Sequence, residues 1–518
     1  MERAMIPHLL SVLIFAPTIA GVLLLLLRKN ETAFKGGAIA VTVAIFALSL
    51  PLYFGYDAAD ARMQFNEHIA WIPSLNIGYH VGIDGLSLLL VLLTTLLTPI
   101  VLISSWNSIT KQVPMFVFLM LLLETGMLGV FCSLDTFLFY VFWEVILIPM
   151  YFIIGIWGGK NRIYAAVKFF IFTMVGSLLM LIAIIWLSWY ASTLPGGIFT
   201  TDFIALSRIA PAIPMQAQMW LFAAFALSFL IKVPAFPLHT WLPDAHVEAP
   251  TGGSVILAGV LLKLGTYGLI RFNVQLFPAA ALQAAGFLAA IGVIGIIYGA
   301  LVSMVQKDVK KLVAYSSVSH MGFVLLGIFG LTVQGMQGGI IQMINHGLST
   351  GALFLMVGMI YDRRHTRLID DFGGLAKIIP VFSTLFLIVT LSSIGLPGLN
   401  GFVGEFLILL GSFNSAALGS HWYVVFAATG VVFAAVYMLW MFQRVIFGTV
   451  RHEENATLKD LSVREIGLLV PILLFIFWIG IYPSTFLSKT EPTVRRIVQT
   501  MEDVQQGRSL TPANPAGK

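Results

Sequence analysis

The chain has 518 residues, of which 58% are hydrophobic and only 10% are charged, whereas about 25% of the residues in an average soluble domain are charged. A soluble globular protein is therefore excluded. The net charge of +5 is also found in nucleic-acid-binding proteins, but here most of the 29 Lys and Arg residues fall in short loops between apolar segments. We therefore expect a polytopic protein of the lipid bilayer that binds no nucleic acid.

Apolar segments, bounded by charges and Pro/Gly clusters, predict an all-α protein with about 14 transmembrane helices, since one crossing needs about 20 apolar residues. The polar segment 57–82 is expected to be an extramembrane loop with a short hairpin. Because Arg28 and Lys29 directly follow the first apolar segment, we interpret that segment as a retained span rather than a cleaved signal. The predicted spans are residues 4–27, 36–54, 84–106, 114–132, 135–157, 163–190, 217–243, 252–271, 281–303, 309–330, 336–360, 379–410, 422–446 and 464–486.

The basic residues predict the orientation of these spans. One set of alternate loops holds most of them, for example Lys310 and Lys311, whereas the opposite side has few outside the C-terminal tail, among them Arg3, Arg208 and Arg271. Because basic loops stay in the cytoplasm, we expect a bacterial cytoplasmic membrane protein with both termini on the periplasmic side.

Helix breakers interrupt two spans, at Pro234 and Pro237 in span 7 and at Pro397 and Gly398 in span 12. Broken helices at corresponding places of two halves are typical of transporters built from inverted repeats, although prolines can also simply kink a helix. The predicted organisation is therefore helices 1–3 with their outer loop (1–112), two inverted five-helix repeats, each with one broken helix (113–271 and 281–447), and helix 14 with the C-terminal tail (464–518).

Ionisable residues inside the spans are the main functional candidates, because a charge at the bilayer centre costs about 2.5–3.5 kcal/mol on insertion scales. Glu144, Lys232, Lys263 and Glu405 stand out. If Glu144 pairs with Lys232, each charge stabilises the other, and when the pair opens the desolvated lysine can pass its proton on. The structural alternative is a permanent ion pair.

Two histidines, His320 and His346, fall in spans 10 and 11. Imidazole can relay protons because its unperturbed pKa of about 6.5 lies near working pH. A histidine in a membrane helix can equally be an interhelical hydrogen-bonding group, and the sequence alone leaves both interpretations open.

A second polar group, at the end of span 7, combines His239, Asp244, His246 and Glu248. These residue types can bind metals, but their irregular spacing favours a solvated helix end or loop, so we expect no metal site. Lys168 is close enough to the end of its helix to extend to the membrane surface.

Redox cofactors are not expected in this chain. The single cysteine, Cys132, excludes a four-cysteine iron–sulfur cluster and a C-x-x-C-H haem attachment, and no nucleotide-binding glycine fingerprint is present.

Several stretches resemble the antiporter-like membrane subunits of respiratory complex I, a resemblance that covers essentially spans 4 to 13. Large subunits of cation/proton antiporters and of membrane-bound hydrogenases share this core. The matching stretches are Phe142-Trp143-Glu144 through Pro149-Met150-Tyr151, the block from Lys232 to Thr251, Lys263-Leu-Gly265-Thr-Tyr267-Gly268, the block from Lys310 to Gly322, and Asn345-His346-Gly347.

Within this family the chain resembles the M type, the NADH dehydrogenase subunit 4 family. That type has a glutamate in the broken span 12 where the L and N types have a lysine, and this chain has Glu405 there. The chain also stops soon after span 14, without the long lateral helix of the L type.

The resemblance implies a role for each buried residue. Glu144 and Lys232 would sense the neighbouring subunit, and Lys263 would be the central proton carrier. His320 and His346 would continue the path, which would end at the span 12 glutamate towards the outer face. The partners would be other complex I membrane subunits, including L-type and N-type neighbours, and the redox sites would lie elsewhere in the complex.

Three functions remain distinguishable at this point. The first is a proton-translocating subunit of NADH:quinone oxidoreductase, in which protons cross this chain. The second is the large subunit of a cation/proton antiporter, which predicts sodium-dependent growth. The third is a scaffold without transport, which the buried charges disfavour.

Overall fold

The fold is a helical membrane bundle, seen in a computed structural model that describes residues 7–210 and 213–508. Thirteen helices in these ranges are long and apolar enough to cross a membrane. Two shorter helices on either side of the Pro397 break make up the predicted broken span 12. The predicted helical, polytopic architecture is therefore confirmed. The start of the first predicted span, residues 4–6, lies outside the described residues, as does Arg3.

Spans are numbered 1 to 14 in chain order, and the two halves of spans 7 and 12 are labelled a and b. The bounds are Leu9–Leu24 (1), Glu31–Gly55 (2), Gly85–Ser104 (3), Val113–Cys132 (4), Thr136–Val145 with Leu147–Trp157 (5), Arg162–Thr193 (6), Met215–Lys232 (7a), Trp241–Glu248 (7b), Thr251–Val274 (8), Pro278–Met304 (9), Val309–Phe329 (10), Val333–Arg364 (11), Pro380–Ile394 (12a), Asn400–Phe413 (12b), Trp422–Ile446 (13) and Val463–Ile481 (14).

A β-hairpin marks one end of the bundle, which we call the hairpin face. Strands β1 (Gln64–Ile72) and β2 (Ile77–Ile83) pair antiparallel, and Asn76 adopts a left-handed conformation at the turn (φ 49°), which asparagine tolerates better than most residues. The hairpin predicted within 57–82 is confirmed. We call the opposite end, where the Lys- and Arg-rich loops lie, the basic face.

Spans 8 and 11 form the centre of the bundle. The apolar windows of both helices are entirely buried, and the two backbones come into contact, because a Cβ at Gly347 would lie only 2.8 Å from the Gly259 carbonyl oxygen. Span 8 also contains a π-helical segment, Leu257–Leu261. Such segments are frequent at functional sites because they disturb the usual carbonyl pairing.

Arg271, predicted to lie in an outer loop, is instead buried in the last turn of span 8. Its Nη2 lies 2.6 Å from Oδ1 of Asp84, and both side chains are almost completely buried. Asp84 also caps the first turn of span 3 by accepting hydrogen bonds from Leu86 N and Ser87 N. The sequence-based assignment of Arg271 was wrong because its position at the end of a span suggests an exposed loop. The sequence does not show that other segments of the fold bury this end of the helix.

Replacing Asp84 with Asn is expected to destabilise the protein by about 3–5 kcal/mol, because it leaves the Arg271 guanidinium buried without its carboxylate. Thermal unfolding of the purified membrane complex measures the effect. The double variant Asp84→Leu with Arg271→Met should recover much of the loss. Equal loss in the single and double variants would contradict this account.

A helix at the C-terminal end, Ser484–Gln505, was not predicted. The segment predicted as span 14 (464–486) ends at Ile481, and the following helix lies across the hairpin face, where it packs against spans 3, 9 and 11. The Thr493 hydroxyl accepts a hydrogen bond from Gly85 N at 3.1 Å. A search for wholly apolar spans misses this helix because only one of its sides is apolar.

Candidate functional site

Lys263 and His346 meet at the centre of the bundle. The Lys263 side chain is fully buried, and its Nζ lies 2.7 Å from Nδ1 of His346 while also donating to the carbonyl of Ala258 in the π-helical segment. The close approach of spans 8 and 11 brings the two residues within reach. Both were predicted site residues, and the structure places them in direct contact.

His320 and Glu405 form a second buried pair next to the first. Nδ1 of His320 lies 3.1 Å from Oε1 of Glu405, and Gln342 donates to the same carboxylate oxygen at 3.2 Å. The rings of His320 and His346 are 5.9 Å apart, centroid to centroid. The four titratable side chains therefore form one line, from Lys263 through His346 and His320 to Glu405, which we call the buried line.

Polar side chains surround the middle of this line. Ser349 and Ser392 contact each other at 2.6 Å between hydroxyl oxygens, and Asn345 donates to the carbonyl of Asn400 at 2.7 Å. A small cavity of about 10 Å³ lies among them, which is about the space that a single water molecule needs. Span 12b begins at Asn400, so the break in span 12 supplies part of this polar lining.

Proton transfer along the line also requires free acceptor atoms. Within the part of the chain that the structure describes, Nε2 of His320, Nε2 of His346 and Oε2 of Glu405 are buried without a hydrogen-bond partner. A buried polar atom without a partner is costly and calls for an explanation. An atom of this kind can bind or release a proton without first breaking a hydrogen bond.

Glu144 and Lys232 lie apart from the buried line and do not form a contact ion pair. The Lys232 ammonium has no hydrogen-bond partner among the described residues and lies 5.2 Å from the centroid of the Trp143 ring. Glu144 is half-buried beside Tyr140 and interacts with Lys232 only electrostatically. The structure therefore shows the open arrangement of this pair.

Span 8 connects this pair to the buried line. It packs against the end of span 7a that carries Lys232, because a Cβ at Gly265 would lie 2.6 Å from the carbonyl oxygen of Phe229 and 2.9 Å from Val233 N. Lys232 and Lys263 thus belong to two helices in direct backbone contact. A change at Lys232 can therefore alter the environment of Lys263 through the packing of these two helices.

The polar group at the end of span 7 is not a solvated helix end, contrary to the prediction. His246 is completely buried, and its ring stacks on Phe354 at 4.5 Å. His239 is buried as well, whereas Asp244, which is partly exposed, forms an ion pair with Lys168 at 2.7 Å. The prediction failed because helix 7b packs inside the bundle, which its polar sequence does not indicate.

Helix 7b ends against Lys310 of span 10 and against two loop residues, Arg367 and Asn161. The Val247 carbonyl accepts from Arg367 at 2.6 Å, and the Ala249 carbonyl accepts from the Lys310 ammonium at 2.6 Å. Glu248 accepts from Asn161 N at 2.9 Å. Cations suit the carbonyl end of a helix because the helix dipole is negative there.

A vestibule of about 690 Å³ lies at the basic face beside helix 7b. Its wall includes Lys310, Glu248, Arg367 and Asp362. Lys310 was counted from the sequence among the loop charges, but it lies in the first turn of span 10 and is only 7% exposed. Asp308 could have indicated that Lys310 belongs to the helix rather than to the loop, because aspartate is a typical helix N-cap residue and lies two positions before Lys310.

One buried acid does not join the line. Glu124 in span 4 is fully buried, and neither carboxylate oxygen has a hydrogen-bond partner among the described residues. It lies near Thr98, whose hydroxyl donates instead to the Thr94 carbonyl at 2.9 Å. Burial alone therefore does not define the site, and connection to other titratable groups is the additional criterion.

Replacing Glu124 with Gln is expected to leave proton transport at its wild-type level, because the carboxyl contacts no member of the buried line. The amide keeps the shape of the side chain, so the free energy of unfolding should change by no more than about 1 kcal/mol. Transport and thermal unfolding of the assembled protein test this together. Loss of transport without loss of stability would require Glu124 to be added to the path.

Comparison with known proteins places the chain among membrane transport subunits. Residues 133–441 match the family described as NADH:quinone oxidoreductase/Mrp antiporter, TM. The chain is 44% identical over 508 residues to NADH-quinone oxidoreductase subunit M of Rhodobacter capsulatus. The aligned region covers 95% of this chain and 96% of that protein.

Two solved structures have the same fold. A chain of respiratory complex I from Thermus thermophilus with bound NADH matches with a TM-score of 0.85 and 32% identity, over 95% of this chain and 99% of that one. A chain of the Mrp complex from Dietzia sp. DQ12-45-1b matches with a TM-score of 0.81 over 96% and 99% of the two chains. At 18% identity, this second match shows the fold alone.

Proposed function

The chain belongs to the NADH:quinone oxidoreductase/Mrp antiporter transmembrane family, and from this membership and its likeness to subunit M we propose that it is a proton-translocating subunit of a membrane-bound NADH:quinone oxidoreductase. The buried line from Lys263 to Glu405 carries the proposal. It places an amine, two imidazoles and a carboxyl in sequence inside a membrane bundle, where burying a charged group is costly.

In the proposed transport step, a proton bound to Lys263 moves to His346, then to His320 and then to Glu405. The Lys263–His346 and His320–Glu405 contacts, at 2.7 and 3.1 Å, are hydrogen-bond distances. The gap between the two imidazoles lies beside the small polar cavity. Lysine suits the first position because a buried amine can release its proton, whereas a guanidinium stays charged.

The proposed control of this step resides in Glu144 and Lys232. When the Glu144 carboxylate approaches, the Lys232 ammonium is stabilised, and the positive charge disfavours a second proton on nearby Lys263. When the pair opens, as in this structure, the desolvated Lys232 passes its proton on towards the buried line, and the neutral amine that remains no longer repels a proton on Lys263. Half-buried Glu144 is suited to respond to a neighbouring subunit because part of its side chain reaches the bundle surface.

We assign the basic face to the cytoplasm and the hairpin face to the periplasm, with both termini periplasmic, because Lys- and Arg-rich loops stay on the cytoplasmic side. Protons then enter from the vestibule side. The redox cofactors are proposed to lie in other subunits, and the neighbours in the membrane to be L-type and N-type antiporter-like subunits. This chain would use redox energy without carrying a redox group.

Deletion and complementation of the gene test the proposed function. Inverted membrane vesicles from the deletion strain should lose NADH-driven proton uptake, and the complemented strain should regain it, with the same rates in sodium-free and sodium-containing buffer. Normal NADH-driven uptake in the deletion strain would contradict the proposal.

The alternative function is the large subunit of a cation/proton antiporter, which the shared fold of the Mrp complex chain supports. That function predicts a deletion strain that is sensitive to sodium or alkaline medium while its NADH oxidation is normal. Vesicle assays of sodium/proton exchange, run beside the NADH assays, separate the two functions.

A further inference from the structure

Lys310 occupies the boundary between the vestibule and the buried interior. It lines the vestibule wall, yet its side chain is almost completely buried, and its ammonium donates to the Ala249 carbonyl at 2.6 Å. The nearest acid on its own helix end, Asp308, is engaged by Arg367 at 3.2 Å. The Lys310 ammonium is thus held by a neutral carbonyl rather than by a carboxylate, and it is freer to release a proton than it would be in an ion pair.

His246 lies three residues before Ala249, whose carbonyl holds Lys310, and its own carbonyl accepts a hydrogen bond at 3.0 Å from the Ser254 hydroxyl of span 8, the helix that carries Lys263. Its side chain is completely buried, and neither ring nitrogen has a hydrogen-bond partner in the described ranges 7–210 and 213–508. The ring interacts electrostatically with both Lys310 and Lys263. Its stacking on Phe354 fixes the plane of the ring and leaves both nitrogens at the ring edge free.

We propose that Lys310 is the proton-carrying residue of the uptake side, which takes protons from the vestibule and delivers them through His246 to Lys263. In each delivery, an N–H bond of the Lys310 ammonium breaks and an N–H bond forms on His246. His246 then releases a proton from its ring to the Lys263 amine, and Lys310 regains a proton from the vestibule. This inference rests on the proposed function, since it supplies the protons that the buried line exports.

The acids and bases around Lys310 are consistent with this role. Arg367 is held by Asp308 and by the Val247 carbonyl, so it positions helix 7b without competing for the proton. Glu248 faces the same vestibule and interacts electrostatically with Lys310. A carboxylate near the vestibule attracts protons to this wall, and lysine rather than arginine at position 310 allows the proton to leave.

Three substitutions test the proposal. Lys310→Met removes the carrier, Lys310→Arg keeps a cation that can hold the Ala249 carbonyl but does not give up its proton, and Lys311→Met removes the same charge one position along the chain as a control. Proton uptake per NADH oxidised is measured in inverted vesicles, and assembly is checked by native electrophoresis. We expect both Lys310 variants to lose about tenfold or more of the proton uptake, and Lys311→Met to match wild type.

Recovery of wild-type uptake in Lys310→Arg would overturn the proposal, because it would show that Lys310 only caps helix 7b. Wild-type uptake in Lys310→Met would overturn it as well. If a Lys310 variant fails to assemble, His246→Gln provides the second test, with loss of uptake expected and normal uptake contradicting the path.

Lys263→Ala, measured in the same series, separates this inference from the proposed function. If Lys263→Ala abolishes uptake while the Lys310 variants are normal, only the uptake path is wrong. If Lys263→Ala itself transports normally, the proposed function fails.

Discussion

Replacing Lys263 with Ala is expected to abolish NADH-driven proton uptake, with a loss of about 10²-fold or more. The Lys263 side-chain nitrogen is the group in contact with His346, and alanine leaves that imidazole without its partner at 2.7 Å. Lys263→Arg should be nearly as inactive, because a guanidinium keeps its proton. Proton uptake and NADH oxidation by inverted vesicles check both variants.

The control for this experiment is Thr266→Val on the same helix. Thr266 donates to the backbone carbonyl of Lys263 at 3.1 Å but makes no hydrogen bond to the titratable side-chain atoms of the buried line, so this variant should transport protons normally. Full uptake in assembled Lys263→Ala would remove Lys263 from the path.

Replacing Glu144 with Ala is expected to stop NADH oxidation and proton uptake together while the complex still assembles. Glu144 is the carboxylate that interacts electrostatically with Lys232, and without it the Lys232 ammonium loses the charge that stabilises it in a buried position. Glu144→Asp keeps the carboxylate and should retain part of both activities. Oxidation, uptake and native electrophoresis are measured on the same membranes.

The Glu144→Gln variant separates the effect of losing the carboxylate charge from the effect of losing the packing of the side chain. Glu144→Gln keeps the size of the side chain and removes only the charge, so we expect it to behave like Glu144→Ala. Normal activity in Glu144→Gln would favour the scaffold function, in which the carboxylate has no role in transport.

The spans and their breaks could be predicted from the sequence because they depend on local properties. Apolar length sets the number of crossings, and Pro397 and Gly398 interrupt span 12 wherever the helix lies. For the same reason, the residues expected in the interior, such as Lys263 and Glu405, are buried in the structure. The inverted relation of the two five-helix halves stays a prediction.

The pairing of the buried residues could not be predicted from spacing. Contact between Lys263 and His346 depends on the π-helical segment that supplies the Ala258 carbonyl and on the approach of Gly259 to Gly347. These are tertiary features, because they arise only when span 8 packs on span 11. The contacts on which the relay proposal for the two histidines depends therefore required the structure.

The residues that were predicted to be exposed but are buried in the structure were misplaced for one physical reason. Arg271, His246 and Lys310 lie near helix ends, where the sequence suggests solvent, but other segments of the fold cover them. Arg271 finds a buried carboxylate and Lys310 a carbonyl. Hydropathy shows where a helix ends but gives no information on what packs over that end.

The most direct test of the central claim, that protons leave through the buried line, is the number of protons transported per NADH oxidised by vesicles carrying Glu405→Gln. Glutamine keeps the shape of the side chain but cannot accept a proton from His320, whose Nδ1 lies 3.1 Å from the Glu405 carboxylate. We predict that this ratio falls below that of wild type in the assembled complex. An unchanged ratio at a normal rate of NADH oxidation would contradict the account.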